Sequence, residues 1–238
     1  MNVEAFIPCF IDQFYPEIAA NFIAVLEKSG CKVNYNPEQT CCGQPAFNSG
    51  YWKEARTVAG KFLIDFNSAE VIVGPSASCT GFVRNYFSKI FEEDKTNLEK
   101  SNQMSKKIFE VTDFLVNHLK IIDFDTVFNH RVTFHDSCAG LREYGIKREP
   151  RILLSNVRGL ELIEMDNTET CCGFGGTFAA KFHSISTAMI DQKVENALKT
   201  GAEYIVSTEA SCLMNMESYI RKNNLPIKTI HIIDVLAS

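Results

Sequence analysis

Apolar positions along this chain switch between two spacings. Val3 to Ile7, Cys31 to Tyr35 and Glu70 to Gly74 are short runs that are apolar or alternate with period two, which predicts strands. Pro16 to Ser29 sets Ile18, Phe22, Val25 and Leu26 at helical spacing, and Gly30 follows where a helix end takes a left-handed residue. Trp52 to Phe66 and Gly81 to Phe91 also read as helices, with Trp52 expected to pack and Pro75 to Cys79 expected to be a turn. Glu92 to Lys107 is polar and charged. It predicts a solvated loop with part of a further helix. Ile108 to Leu119 is a short apolar stretch with Asp113 inside it.

After a join expected between His118 and His130, the order begins again. Arg131 to His135 predicts a strand that runs into Asp136, Ser137 and Cys138. Pro150 to Val157 reads as a helix, and Leu160 to Met165 as a strand leading to Cys171. Phe182 to Thr200 reads as a long helix closed by Gly201. Glu203 to Ser207 is the next strand, Thr208 to Cys212 its turn, and Leu213 to Lys222 a helix.

The two halves match in detail. Thr40-Cys41-Cys42-Gly43 returns as Thr170-Cys171-Cys172-Gly173, 130 positions later. Cys9 corresponds to Cys138, and Cys79 to Cys212. Ile72 to Cys79 aligns with Ile205 to Cys212, and Val111 to Leu115 is echoed by Ile232 to Leu236. Strands alternating with helices imply parallel sheets with helical crossovers. The expectation is an α/β protein of two lobes, 1–122 and 123–238, each a small parallel sheet flanked by helices, related by a pseudo-twofold axis.

Bulk properties narrow the chemistry. The net charge of −5 speaks against a nucleic-acid or anionic-lipid surface. No apolar run reaches the roughly 18 residues that a membrane span needs. The first residues lack the basic region of a signal peptide, so a cytoplasmic location is expected. Nine cysteines in a reducing compartment point to metal or redox chemistry rather than disulfides.

Each half places its cysteines just after strand-like segments, where the loops of a parallel sheet converge. Cys9, Cys41, Cys42 and Cys79 form one candidate ligand set, and Cys138, Cys171, Cys172 and Cys212 the other. Cys31 is left over and reads as a buried small hydrophobe. No C-x-x-C occurs, whereas structural zinc sites usually carry such pairs. Adjacent thiolates suit an iron–sulfur cluster better, because neighbours reach different iron atoms. Zinc remains the competing metal.

The spacings C-x₃₁-C-C-G-x₃₅-C and C-x₃₂-C-C-G-x₃₈-C resemble the tandem CCG, or cysteine-rich, domain family. That family includes the cysteine-rich subunit of heterodisulfide reductase and the iron–sulfur subunits of glycolate oxidase and anaerobic glycerol-3-phosphate dehydrogenase. His135 to Arg142, Cys171 to Phe178 and Pro75 to Cys79 are most similar to its lactate utilization branch. The resemblance implies a cytoplasmic electron-transfer subunit of an L-lactate-oxidising complex, with two further subunits, one of them ferredoxin-like. It implies one iron–sulfur cluster per repeat, a [4Fe–4S] type, labile to oxygen and open to replacement by zinc in air. The reductase pattern has a fifth cysteine where this chain has Ser76 and Glu209. Four thiolates, or four with an oxygen ligand from Ser76 or Glu209, are what remain. Two other functions stay open: a zinc- or thiol-stabilised scaffold subunit, and a thiol–disulfide redox protein.

Weaker signals surround the second set. Phe174 to Thr177 is glycine-rich but lacks a phosphate-loop pattern. His135 and Asp136 are expected to make structural hydrogen bonds. Arg142, Lys181 and His183 read as solvated charge.

Overall fold

The computed structural model describes all residues, 1–238. The chain divides into two compact units, Met1–Leu119 and Lys120–Ser238.

In the first unit, β1 (Asn2–Ala5) leads through α1 (Cys9–Phe14) and α2 (Pro16–Lys28) to β2 (Lys32–Tyr35). The short α3 (Gln44–Asn48) and α4 (Trp52–Asp65) return the chain to β3 (Ile72–Gly74). Then α5 (Ala77–Ile90) and α6 (Lys95–Lys107) precede β4 (Ile108–Glu110), one turn of helix α7 (Val111–Asp113), and a wider π-type turn over Phe114–Leu119. All strand pairs are parallel, in the order β2-β1-β3-β4.

The second unit repeats this plan. β5 (Arg131–Phe134) is followed by a π-type turn (Gly140–Tyr144), α8 (Arg148–Ser155) and β6 (Glu161–Leu162). Next come α9 (Thr177–Lys181), α10 (His183–Lys199), β7 (Tyr204–Ser207), α11 (Ala210–Lys222), β8 (Lys228–His231) and α12 (Ile232–Ala237). The sheet order is β6-β5-β7-β8, again all parallel.

The expected class, two α/β lobes with small parallel sheets flanked by helices, is therefore what the chain forms. Burial explains the strand patterns. β3 and β4 are buried along their whole length, and apart from Glu110 at the end of β4 they carry no polar side chain. In the first unit the core is aromatic. Phe6 meets Phe62 edge to face at 5.0 Å, and Phe62 meets Phe87 in the same way at 5.4 Å. Each such pair adds about 1 kcal/mol beyond area burial. The second core is aliphatic, built on Met165, Ile190, Val194, Ile205, Met216 and Ile220.

Four local expectations need correction. Within the loop-and-partial-helix expected from Glu92 to Lys107, the helix takes nearly all: it runs from Lys95 to Lys107. Asp94 caps it by accepting from the Asn97 amide at 3.1 Å, and its buried Met104 and Ser101 anchor a face too sparse to show as periodicity. The expected turns at Pro75 to Cys79 and Thr208 to Cys212 shrink, because α5 and α11 begin at Ala77 and Ala210 and carry Cys79 and Cys212 in their first turns. The strand expected from Leu160 to Met165 reduces to Glu161–Leu162, since the segment sits at the sheet edge and pairs only with β5. Trp52 does not pack inside: it is 68% exposed and stacks on Phe47 at 6.4 Å.

No helix is long and apolar enough to cross a membrane.

Candidate cysteine-rich metal centres

In a parallel sheet every strand ends at the same edge, so loops after successive strands meet there. Cys9 follows β1, Cys41 and Cys42 follow β2, and Cys79 follows β3. The strand order reverses between β1 and β3, with β2 on the far side of β1. That reversal opens the crevice in which ligands of such sheets bind.

The thiols do come together. Cys41 is in hydrogen-bonding contact with both Cys42 and Cys9, and Cys42 with Cys79. The second unit repeats the chain of contacts: Cys171 with Cys138 and Cys172, and Cys172 with Cys212. Cys31 stands outside both groups, buried, with the chain's amino terminus as its charged neighbour.

The glycine that follows each cysteine pair shapes the loop. Gly43 has φ +94° and Gly173 φ +80°, a region closed to most side chains. This turn aims the Gly43 amide at Cys41 Sγ and the Gly173 amide at Cys171 Sγ, each at 3.3 Å. A Cβ on Gly173 would stand 2.7 Å from the Ser186 carbonyl oxygen of α10, and one on Gly43 would stand 3.2 Å from that of Ala55 of α4. Ser186 Oγ donates to the Gly173 carbonyl at 2.8 Å, and Asn215 Nδ2 to the Cys172 carbonyl at 3.0 Å. The loop is thus tied to both α10 and α11.

The surroundings select one thiolate per group. Hydrogen bonds from the Cys42 and Cys9 thiols, with the Gly43 amide, hold Cys41 down at about 3. The Cys138 and Cys172 thiols, with the Gly173 amide, hold Cys171 down at about 2. Their partners move the other way. Donation to Cys41, then burial, raises Cys9, and donation to Cys171, then burial, raises Cys138. A thiolate needs positive potential, and α5 and α11 supply it by pointing their N-termini at the groups through Cys79 and Cys212.

The two units differ around this shared frame. In the first, Ser76 Oγ accepts from the Cys79 amide at 3.4 Å and caps α5. In the second, Glu209 holds the equivalent position, 5% exposed, and accepts from Ser211 Oγ at 3.2 Å. Asp136 is engaged as the sequence suggested. It receives both terminal nitrogens of Arg151 at 2.9 Å, and Arg151 also binds Glu164. His135 departs from expectation. It is fully buried, and neither ring nitrogen makes a hydrogen bond. Its ligating nitrogen and the sulfurs of Cys172 and Cys212 all lie within 4.8 Å of one another. Burial lowers its pKa to about 3, so the ring is neutral, the form that binds metals.

Sequence reading missed one cation. Lys193 of α10 is fully buried and donates to the Asn167 and Thr168 carbonyls at 2.9 Å. Its charge acts on Asp136 and on Cys172, Cys171 and Cys212. The spacing of α10 alone signals only a lysine on a helix; the carbonyls of the Cys171 loop are what draw it inside. Arg142 donates to the Glu169 carbonyl at 3.2 Å, whereas Lys181 and His183 are exposed and stand outside the thiol group.

Four neighbouring sulfurs in each unit, one of them held well below the usual thiol range, with donor amides and a helix N-terminus, fit a thiolate-bound metal or cluster. Comparison with known proteins agrees in kind. The profile of the CCG cysteine-rich domain matches residues 3–84 and 132–217. Lactate utilization protein A 1 of Bacillus mycoides is 41% identical over 236 residues, 99% of this chain and 96% of its own. Lactate utilization protein A of a Geobacillus species is 39% identical over the full length of both chains, 238 residues. Among solved structures, a hypothetical protein from Helicobacter pylori shares the fold with a TM-score of 0.68 at 10% identity, covering 99% of this chain and 48% of that one. The chain belongs to the CCG cysteine-rich domain family, in the group that contains the lactate utilization proteins A.

Proposed function

We propose that this chain is an iron–sulfur electron-transfer subunit of lactate utilization. Cys9, Cys41, Cys42 and Cys79 would hold one cluster, and Cys138, Cys171, Cys172 and Cys212 the other, each of [4Fe–4S] type. When bound, such a cluster supplies reversible one-electron transfer. The observation that carries the reading is the pair of thiol quartets, each drawn from three strand ends into one chain of neighbouring contacts. The names of its relatives support the lactate context.

The protein's own groups fit that role. Cys41 and Cys171 offer ready thiolates. The glycine amides and helix N-termini stabilise anionic sulfur, and Lys193 adds a buried positive charge in the second unit. Electrons would enter from the substrate at a cluster or from a partner, since the sequence carries no flavin or nicotinamide fingerprint. Two further lactate utilization subunits, one ferredoxin-like, are the partners this implies, in the cytoplasm.

Anaerobically purified protein is expected to contain iron and acid-labile sulfide and to absorb in the charge-transfer region. Full occupancy by zinc without sulfide would overturn the proposal in favour of a scaffold. Full activity in iron-free protein would favour thiol–disulfide chemistry. Replacing Cys172 by serine is expected to leave assembly with the partners intact while abolishing electron transfer.

A further inference from the structure

The two halves place different residues at the same point of the fold. Phe6 donates its backbone amide to the Val73 carbonyl at 2.8 Å, and His135 donates its own to Val206 at 2.8 Å. Each residue immediately follows the first strand of its unit, and each lies three positions before a cysteine of its quartet. Phe6 turns into hydrocarbon, with Phe62 and Phe66 around its ring. His135 occupies the same place with an imidazole.

An imidazole buried with no hydrogen bond forfeits its hydration with nothing in return unless something else binds it. Nothing in the protein does so. Ser207 Oγ binds the His135 backbone carbonyl at 3.0 Å, not the ring. The Arg151 guanidinium beside the next residue is committed to Asp136, Glu164 and the Lys147 carbonyl. The Lys193 ammonium is a donor and has no acceptor to offer a ring N–H. What the ring does face is the sulfur of Cys172 and of Cys212, within 4.8 Å but without a hydrogen bond. A nitrogen and two sulfurs converging in a buried site is a mixed donor set of the kind that metal centres use, and imidazole joins cysteine sulfur as an iron ligand in some clusters.

We propose that His135 is a ligand of the second-unit centre through a ring nitrogen, so that the two centres of this protein are chemically unequal. The first has cysteine sulfur and no imidazole, because Phe6 stands where the histidine would be. The second has an added nitrogen donor beside the same four thiols. This inference rests on the iron–sulfur reading above.

The test uses the full chain, produced with ¹⁵N-histidine in an otherwise ¹⁴N protein, loaded anaerobically with ferrous iron and sulfide, then reduced. Pulsed EPR reads nitrogen coupling directly and is independent of turnover. The expected result is a strong histidine nitrogen coupling that changes with the label. It should persist in a C41S/C42S variant, which removes thiols of the first centre, and vanish in H135Q. Normal iron and sulfide with a spectrum indifferent to the label would overturn the role of His135 and leave the clusters standing. Failure to bind iron and sulfide at all would overturn both. Should the variants not fold, the labelled wild-type chain still decides, because a label-insensitive spectrum there excludes every histidine as a ligand.

Discussion

Gly173 shows how much a single position can carry. Its φ of +80° and the 2.7 Å approach to the Ser186 carbonyl oxygen leave no room for a methyl group. A G173A variant is expected to lose about 2 kcal/mol or more, counting the left-handed strain of about 1–2 kcal/mol and the clash. G43A, where the nearest backbone atom is 3.2 Å away, should lose less. Denaturant unfolding of the two variants checks the order. Glycine after paired cysteines is visible in sequence because it is a rule about backbone torsion, which one residue announces by itself. His135 and Lys193 were not legible in that way. Their significance is burial, and burial comes from α10, α11 and the Cys171 loop closing over them.

Between residues and whole units stand the elements, and here the fourth strand of each sheet was the part hardest to see. β4 and β8 have three and four residues, too short for a period to register. Each nevertheless ends on a side chain that caps the helix after it. Glu110 accepts from the amides of Thr112 and Asp113, and His231 Nδ1 from that of Ile233. This shared device is why Val111 to Leu115 and Ile232 to Leu236 echo one another in sequence. Glu110 is also fully buried, which raises its pKa to about 8 against an ordinary 4.5. The unfolded chain therefore releases this proton at lower pH than the folded one, and stability falls as pH climbs from about 4.5 to 8. An E110Q variant is expected to flatten that slope, read from urea midpoints across the window. Two more contacts at this scale can be tested by the same method. S76A removes the α5 cap and is expected to cost about 1 kcal/mol. D136N breaks the bidentate pair that ties the loop after β5 to α8; with Arg151 partly exposed, a loss of about 2–3 kcal/mol is expected.

For the molecule as a whole, the duplicated sequence was legible because both copies obey one topology, and cysteines at strand ends must meet at one sheet edge. Unequal chemistry within equal frames was only half legible: Ser76 against Glu209 stood out from the cysteine spacing, whereas Phe6 against His135 looks like ordinary drift until the fold aligns them. If each unit loads independently, C41S/C42S and C171S/C172S are each expected to retain half the wild-type iron. The single tryptophan offers a way to follow one of those halves. Trp52 sits at the surface on Phe47, and Phe47 packs in the same cluster as Cys41, Cys42 and Cys79. A chromophore forming on those sulfurs absorbs where indole emits. Adding iron and sulfide to C171S/C172S protein should therefore dim its fluorescence in step with loading, giving an optical titration that needs no engineered dye.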